Sequence, residues 1–173
     1  HVDFSYEVSR ALAAVEGAVL LVDATQGIQA QTIANLNLAK KEDLVIIPAI
    51  NKIDLPSANV ERTRRELADL LEIDPSLILQ ISGKTGQGIE ELLRAIIERV
   101  PPPSIPVTYN LNPITSPLRA LIFDSMYDSY QGVIACIRIV DGAIKKGESI
   151  KFLATGISAD ALDVGWFLPE RRP

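Results

Sequence analysis

The chain has 173 residues, 47% hydrophobic and 23% charged, with a net charge of −5. That composition suits a folded protein of one domain or two small ones and excludes a general electrostatic binder of DNA or RNA. The single cysteine, Cys136, excludes an intrachain disulfide and fits a reducing compartment, and no apolar run approaches the ~20 residues that span a bilayer.

The first hundred residues alternate between helix-like and strand-like segments. The chain opens on His1-Val2-Asp3-Phe4 rather than on Met, which predicts a fragment with its upstream part missing; a processed terminus is the alternative. Phe4 to Ala14 reads as a short helix, and Ala18 to Val22 as an apolar strand that ends at Asp23. Ala30 to Lys41 is helical. Leu44 to Ile50 is the next strand, although Pro48 argues against a central position in a sheet. Val60 to Leu71 is helical with Asn59 as its cap, and Leu77 to Ile81 is a third strand. In the helix Ile89 to Val100, the residues Ile89, Leu92, Leu93, Ile96, Ile97 and Val100 repeat at helical spacing. Apolar strands separated by helices indicate a parallel sheet covered on both faces, and such sheets bind ligands beyond the carboxyl ends of their strands. Asp23, Asn51 and Ser82 all lie at such ends.

Pro101-Pro102-Pro103 breaks the alternation, and residues 103–117 read as a linker. Residues 118–173 change to short strands: Leu118 to Phe123, Val133 to Val140 and Ser149 to Leu153. Asp141-Gly142 and Lys146-Gly147 supply turns. About 55 residues are short for a closed barrel, so a partial β-barrel is expected, with Trp166 to Pro173 as a divergent or frayed end. Cys136, in the apolar run Val133 to Val140, reads as a small core residue.

The chemistry sits in two loops. Asn51-Lys52-Ile53-Asp54 follows the second strand, and Ser82-Gly83-Lys84 follows the third. An Asp carboxylate accepts hydrogen bonds from guanine N1–H and N2–H; adenine lacks that donor pair, and a buried polar group left unmatched is costly. Each loop has a bland reading: Asn51 to Asp54 as a cap and turn, Ser82 to Gly86 as a flexible turn before a helix. Their succession after consecutive strands favours guanine recognition.

With these segments together, the chain resembles the translational GTPases, and more closely the LepA-type elongation factors, the ribosomal back-translocases. The resemblance runs through His1-Val2-Asp3-Phe4-Ser5-Tyr6-Glu7-Val8-Ser9-Arg10, Leu21 to Thr32, Asn51 to Ala58, Glu98 to Pro103, Leu118 to Ser125 and Tyr130 to Ala135. It implies a truncated P-loop GTPase G domain over residues 1–102, a linker over 103–117, and a partial translation-factor β-barrel over 118–173.

By the same resemblance His1 ends the Asp-Thr-Pro-Gly-His motif of the second switch and positions the attacking water. Asn51 bonds the base edge and ties neighbouring loops, Lys52 lays its stem on one base face, and Asp54 takes the N1 and N2 protons. Ser82 and Gly83 offer backbone N–H groups to O6, and Lys84 covers the other side of the base. GTP or GDP and Mg2+ are implied as ligands, and the ribosome, its RNA and its proteins, as partner. Loose association with membranes is implied too, and DNA is not. Bacterial cytoplasm, mitochondrion and plastid all suit the family.

Departures from the pattern carry consequences. The family has Ser-Ala-Lys where this chain has Ser82-Gly83-Lys84; glycine keeps the donor but loosens the loop, which predicts weaker base binding. No Gly-x-x-x-x-Gly-Lys-Ser/Thr phosphate loop occurs in the chain, nor any Mg2+ ligand of the family. The chain alone is therefore expected not to hydrolyse GTP, and the sheet to have an unpaired edge. The rival readings are another translational GTPase of the EF-G or BipA type, and a non-catalytic remnant that keeps only guanine recognition. Tyr127, Tyr130 and Trp166 suit barrel core or rim, and the pair Lys145-Lys146 a hairpin tip, better than an RNA-binding surface.

Overall fold

A computed structural model describes residues 5–103, 116–168 and 170–172. By contacts it divides into two units, His1–Ser104 with Ile122–Cys136, and Ile105–Leu121 with Ile137–Pro173.

The first unit contains a parallel sheet in the order β1-β2-β3, formed by Gly17–Asp23, Val45–Asn51 and Leu79–Gln80. Its helices are α1 (Ser5–Leu12), α2 (Ala30–Lys41), α3 (Val60–Leu71) and α4 (Ile89–Arg99). β2 is the middle strand, contrary to the expectation from Pro48. Pro48 pairs with Leu20 of β1, whereas β3 pairs only with Ala49 and Ile50. At Pro48 the strand has a ladder on one side only, so the missing N–H can face the open side.

Ile47, Ala49 and Ile50 of β2 are fully buried, as a strand covered on both faces requires. Val22 and Ala24 join Ile50, Ile78 and the α3 residues Leu67 and Ala68 in one core cluster. β1 ends the described sheet, and there Val19 and Leu21 stay exposed at 37% and 51%. This is the expected unpaired edge.

Local chemistry sets the element ends. Asn59 Oδ1 accepts from Arg62 N–H at 3.2 Å and caps α3. The Asn59 N–H donates to Ala24 O at 2.8 Å, fastening α3 to the loop after β1. β3 is shorter than Leu77 to Ile81, because Asp74 accepts from Ser76 N–H and draws Pro75–Leu77 into a 3-10 turn. Gly88 begins α4 with φ of +73°, and a Cβ there would stand 2.1 Å from Gln80 O. Strand end and helix start approach this closely only because no side chain separates them.

Beyond residue 115 come β4 (Arg119–Asp128) and β5 (Gly132–Asp141), a hairpin with an Arg119–Asp141 ion pair near its base. Two short antiparallel pairs follow, β6 (Ser149–Lys151) with β7 (Ser158–Asp160), and β8 (Trp166–Leu168) with β9 (Glu170–Arg172). Within the segment expected to be divergent or frayed, Trp166–Leu168 thus pairs with Glu170–Arg172. Gly142 and Gly147 take φ of +71° and +83° at the anticipated turns. Cys136 is only partly buried, not a core residue. Most of the expected linker, residues 104–115, lies outside the described residues.

Gly88→Ala combines a left-handed backbone with a clash against main chain. We expect it to destabilise the chain by about 3 kcal/mol, measured by chemical denaturation.

Candidate functional site

Asn51 is the last residue of β2, and β3 leads within two residues to Ser82. The two loops beyond these strand ends are bonded to each other. Asn51 Oδ1 accepts from Gly83 N–H at 3.0 Å and from Lys52 N–H at 2.8 Å. Ser82 Oγ donates to Asp54 Oδ1 at 2.6 Å and accepts from Thr85 N–H at 3.1 Å. The Ile53 N–H reaches Ile81 O at 3.4 Å. Residues far apart in sequence are thereby joined through three side chains, Asn51, Asp54 and the fully buried Ser82.

The bonding has a chemical consequence. One oxygen of Asp54 is held by the Ser82 hydroxyl, so the carboxylate has a set orientation and Asp54 stays exposed to a ligand. A carboxylate fixed in this way suits a ligand edge with two neighbouring N–H donors. Lys52 and Lys84 are both exposed, one in each loop.

Of the residues expected at the site, Asn51, Lys52, Asp54, Ser82 and Gly83 are brought together by these bonds, and Lys84 follows directly in the second loop. His1 lies outside the described residues. A Cβ on Gly83 would meet only Asn51 Oδ1 and Nδ2, at 3.8 and 3.9 Å, which is ordinary contact. Neither space nor a left-handed backbone demands glycine there.

Two contributors escape the motif reading. Thr85 donates its N–H to Ser82 Oγ and so steadies the hydroxyl that holds Asp54. Asp23 does fix a turn, accepting from Thr25 N–H and Thr25 Oγ1 at 2.8 and 2.7 Å. It also forms an ion pair with Lys52, Oδ2 to Nζ, at 2.6 Å. The only sequence signal for this pairing is that strand-end Asp23 and the motif lysine belong to adjacent strand ends. The hydrogen bond from Lys52, then those from Thr25, hold the Asp23 carboxyl down at about 2, from an ordinary 3.8.

Among the described residues, no group of three or more His, Cys, Asp or Glu side chains could hold a metal ion. The two loops present hydrogen-bonding side chains and lysines, and no carboxylate cluster.

The depressed carboxyl has a predictable sign. An acid whose pKa is lowered by folding stabilises the fold above its unfolded value, and that stabilisation is lost as pH falls through the folded value. For Asp23 the window runs from 3.8 down to about 2. Denaturation across this range should show stability falling with pH, with a smaller fall in Asp23→Asn, and the Asp23 carboxyl carbon should titrate near the lower end.

Comparison with known proteins agrees with the geometry. The family model described as the elongation factor Tu GTP binding domain matches residues 1–102. The chain is 56% identical over 170 residues to Elongation factor 4 of Halalkalibacterium halodurans, covering 98% of this chain and 27% of that protein. To Elongation factor 4 of Bacillus subtilis strain 168 it is 53% identical over 173 residues, covering 100% of this chain and 27% of the relative. It spans about a quarter of the length of the curated relatives it matches. The crystal structure of translation elongation factor SelB from Methanococcus maripaludis, in complex with the GTP analogue GppNHp, shares the fold. The TM-score is 0.75 at 23% identity, over 99% of this chain and 38% of that one. With more than half its length matched by that model, the chain belongs to the elongation factor Tu GTP binding domain family.

Proposed function

We propose that residues 1–102 are the guanine-recognising part of a G domain, and that the protein is a ribosome-associated GTPase of the Elongation factor 4, or LepA, type. The observation that carries the reading is the coupling of the two loops, Asn51 to Gly83 and Ser82 to Asp54. A cap or an isolated turn needs neither bond. The names of the relatives support the assignment to translation.

In this reading Asp54 accepts the guanine N1 and N2 protons. The backbone N–H groups of Ser82 and Gly83 serve O6, the stems of Lys52 and Lys84 flank the ring, and Asn51 holds the loops at the spacing the base requires. His1 positions the water that attacks the γ-phosphate. The resemblance implies Mg2+ in the full-length protein, where it would supply charge neutralisation at the phosphates; no residue of the two loops is assigned to hold it. Residues 103–117 are a linker and residues 118–173 part of a barrel. With bacterial relatives, the cytoplasm is the compartment in this reading, and the ribosome is the partner. Peripheral membrane contact rests on the resemblance alone; among the described residues no helix is long and apolar enough to cross a membrane.

The test uses the gene product at its natural full length. GDP should bind and ADP should not. Asp54→Asn should weaken GDP roughly 100-fold and favour xanthosine diphosphate, because the Asn amide can donate to the xanthine O2 that replaces the guanine amino group. Equal affinity for GDP and ADP would refute the reading. The 173-residue chain by itself, which contains no phosphate loop, should show no GTP turnover.

A further inference from the structure

Lys52 is pinned at both ends. Its backbone stands in the left-handed region with φ of +63°, unusual for a residue with a long side chain. Its N–H is held by Asn51 Oδ1 at 2.8 Å, and its Nζ by Asp23 Oδ2 at 2.6 Å.

Asp23 is itself rigid. It is the last residue of β1 and pairs in register with Asn51. Thr25 occupies Oδ1 through its N–H and its hydroxyl, which leaves Oδ2 to the ammonium. The next residue, Ala24, donates its N–H to Asn51 O at 2.9 Å and fastens the two strand ends together.

We propose that Asp23 is a positioning residue for the base site: by holding Lys52 Nζ it fixes the aliphatic stem of Lys52 as one wall against which guanine packs. The inference rests on the guanine reading above and extends it to a residue outside both motifs. The Lys52 side chain is 49% exposed and that of Asp23 only 20%, so the anchor is sheltered while part of the lysine stays open. A lysine stem that swings freely must be ordered when the base arrives, and ordering a long side chain opposes binding. A tethered stem has already been ordered by folding. The tether also neutralises the ammonium, so Lys52 acts on the base by contact and not on the phosphates by charge.

Two substitutions separate tether from stem, in the gene product at its natural full length. Asp23→Asn removes the carboxylate charge. Lys52→Met keeps an apolar stem and removes the ammonium. Each should weaken GDP about tenfold, and the double variant should bind no worse than Lys52→Met alone, because both break one interaction. The slowly exchanging Lys52 ammonium signal in nitrogen NMR should be present in the unsubstituted protein and lost in Asp23→Asn. Losses that multiply in the double variant would overturn the proposal, as would Lys52→Met binding GDP like the unsubstituted protein. That second arm stands even if Asp23→Asn does not fold. Failure of the unsubstituted protein to bind GDP would refute the guanine reading and this inference together, whereas GDP binding with multiplying losses refutes the inference alone.

Discussion

A single oxygen, Asn51 Oδ1, organises this site. It accepts from the backbone of its own loop at Lys52 and from the backbone of the next loop at Gly83. Two loops that the chain makes separately thereby become one surface. Together with the Ile53 N–H to Ile81 O bond, that shared acceptor sets the spacing at which Ser82 meets Asp54. The sheet makes the arrangement possible. Parallel strands end side by side, so the residues following β2 and β3 emerge as neighbours.

Two interactions of the site carry charge, the Ser82–Asp54 bond at one end and the Lys52–Asp23 pair at both, in a place only partly shielded from water. Bonds of this kind are stronger than neutral ones, and they order side chains before any ligand arrives. Ser82 is buried completely and Asp54 is not; the buried member fixes the geometry and the exposed member stays open. Asp23 and Lys52 repeat the pattern one strand over, with a sheltered carboxylate holding a partly open lysine. In both pairs a sheltered side chain holds an exposed one.

Much of the fold is legible in the residues. α2 and α3 run over the stretches read as helical, Ala30–Lys41 and Val60–Leu71, the latter from its Asn59 cap, and α4 over Ile89–Arg99, which helical spacing marks. Where local rules fail, a tertiary or neighbouring interaction intervenes. Pro48 sits in a central strand because β3 is too short to need its missing donor. Leu77 leaves the strand because Asp74 captures the backbone at Ser76. At the site, the motif residues are legible as types in sequence, and their mutual bonds are not. The partnership of Asp23 with Lys52 depends on the register of β1 against β2, which no local pattern encodes. Gly83 stands where the family has alanine, and the backbone and the space around it would admit one.

The most direct test is a structure of the full-length gene product with GDP bound. The account predicts the guanine ring between the Lys52 and Lys84 stems, with the Asp54 carboxylate within hydrogen-bond distance of N1 and N2, Ser82 Oγ still on Asp54, and Lys52 Nζ still on Asp23. A nucleotide whose base lies away from Asp54, or whose binding requires the Ser82–Asp54 and Asn51–Gly83 bonds to break, would contradict it.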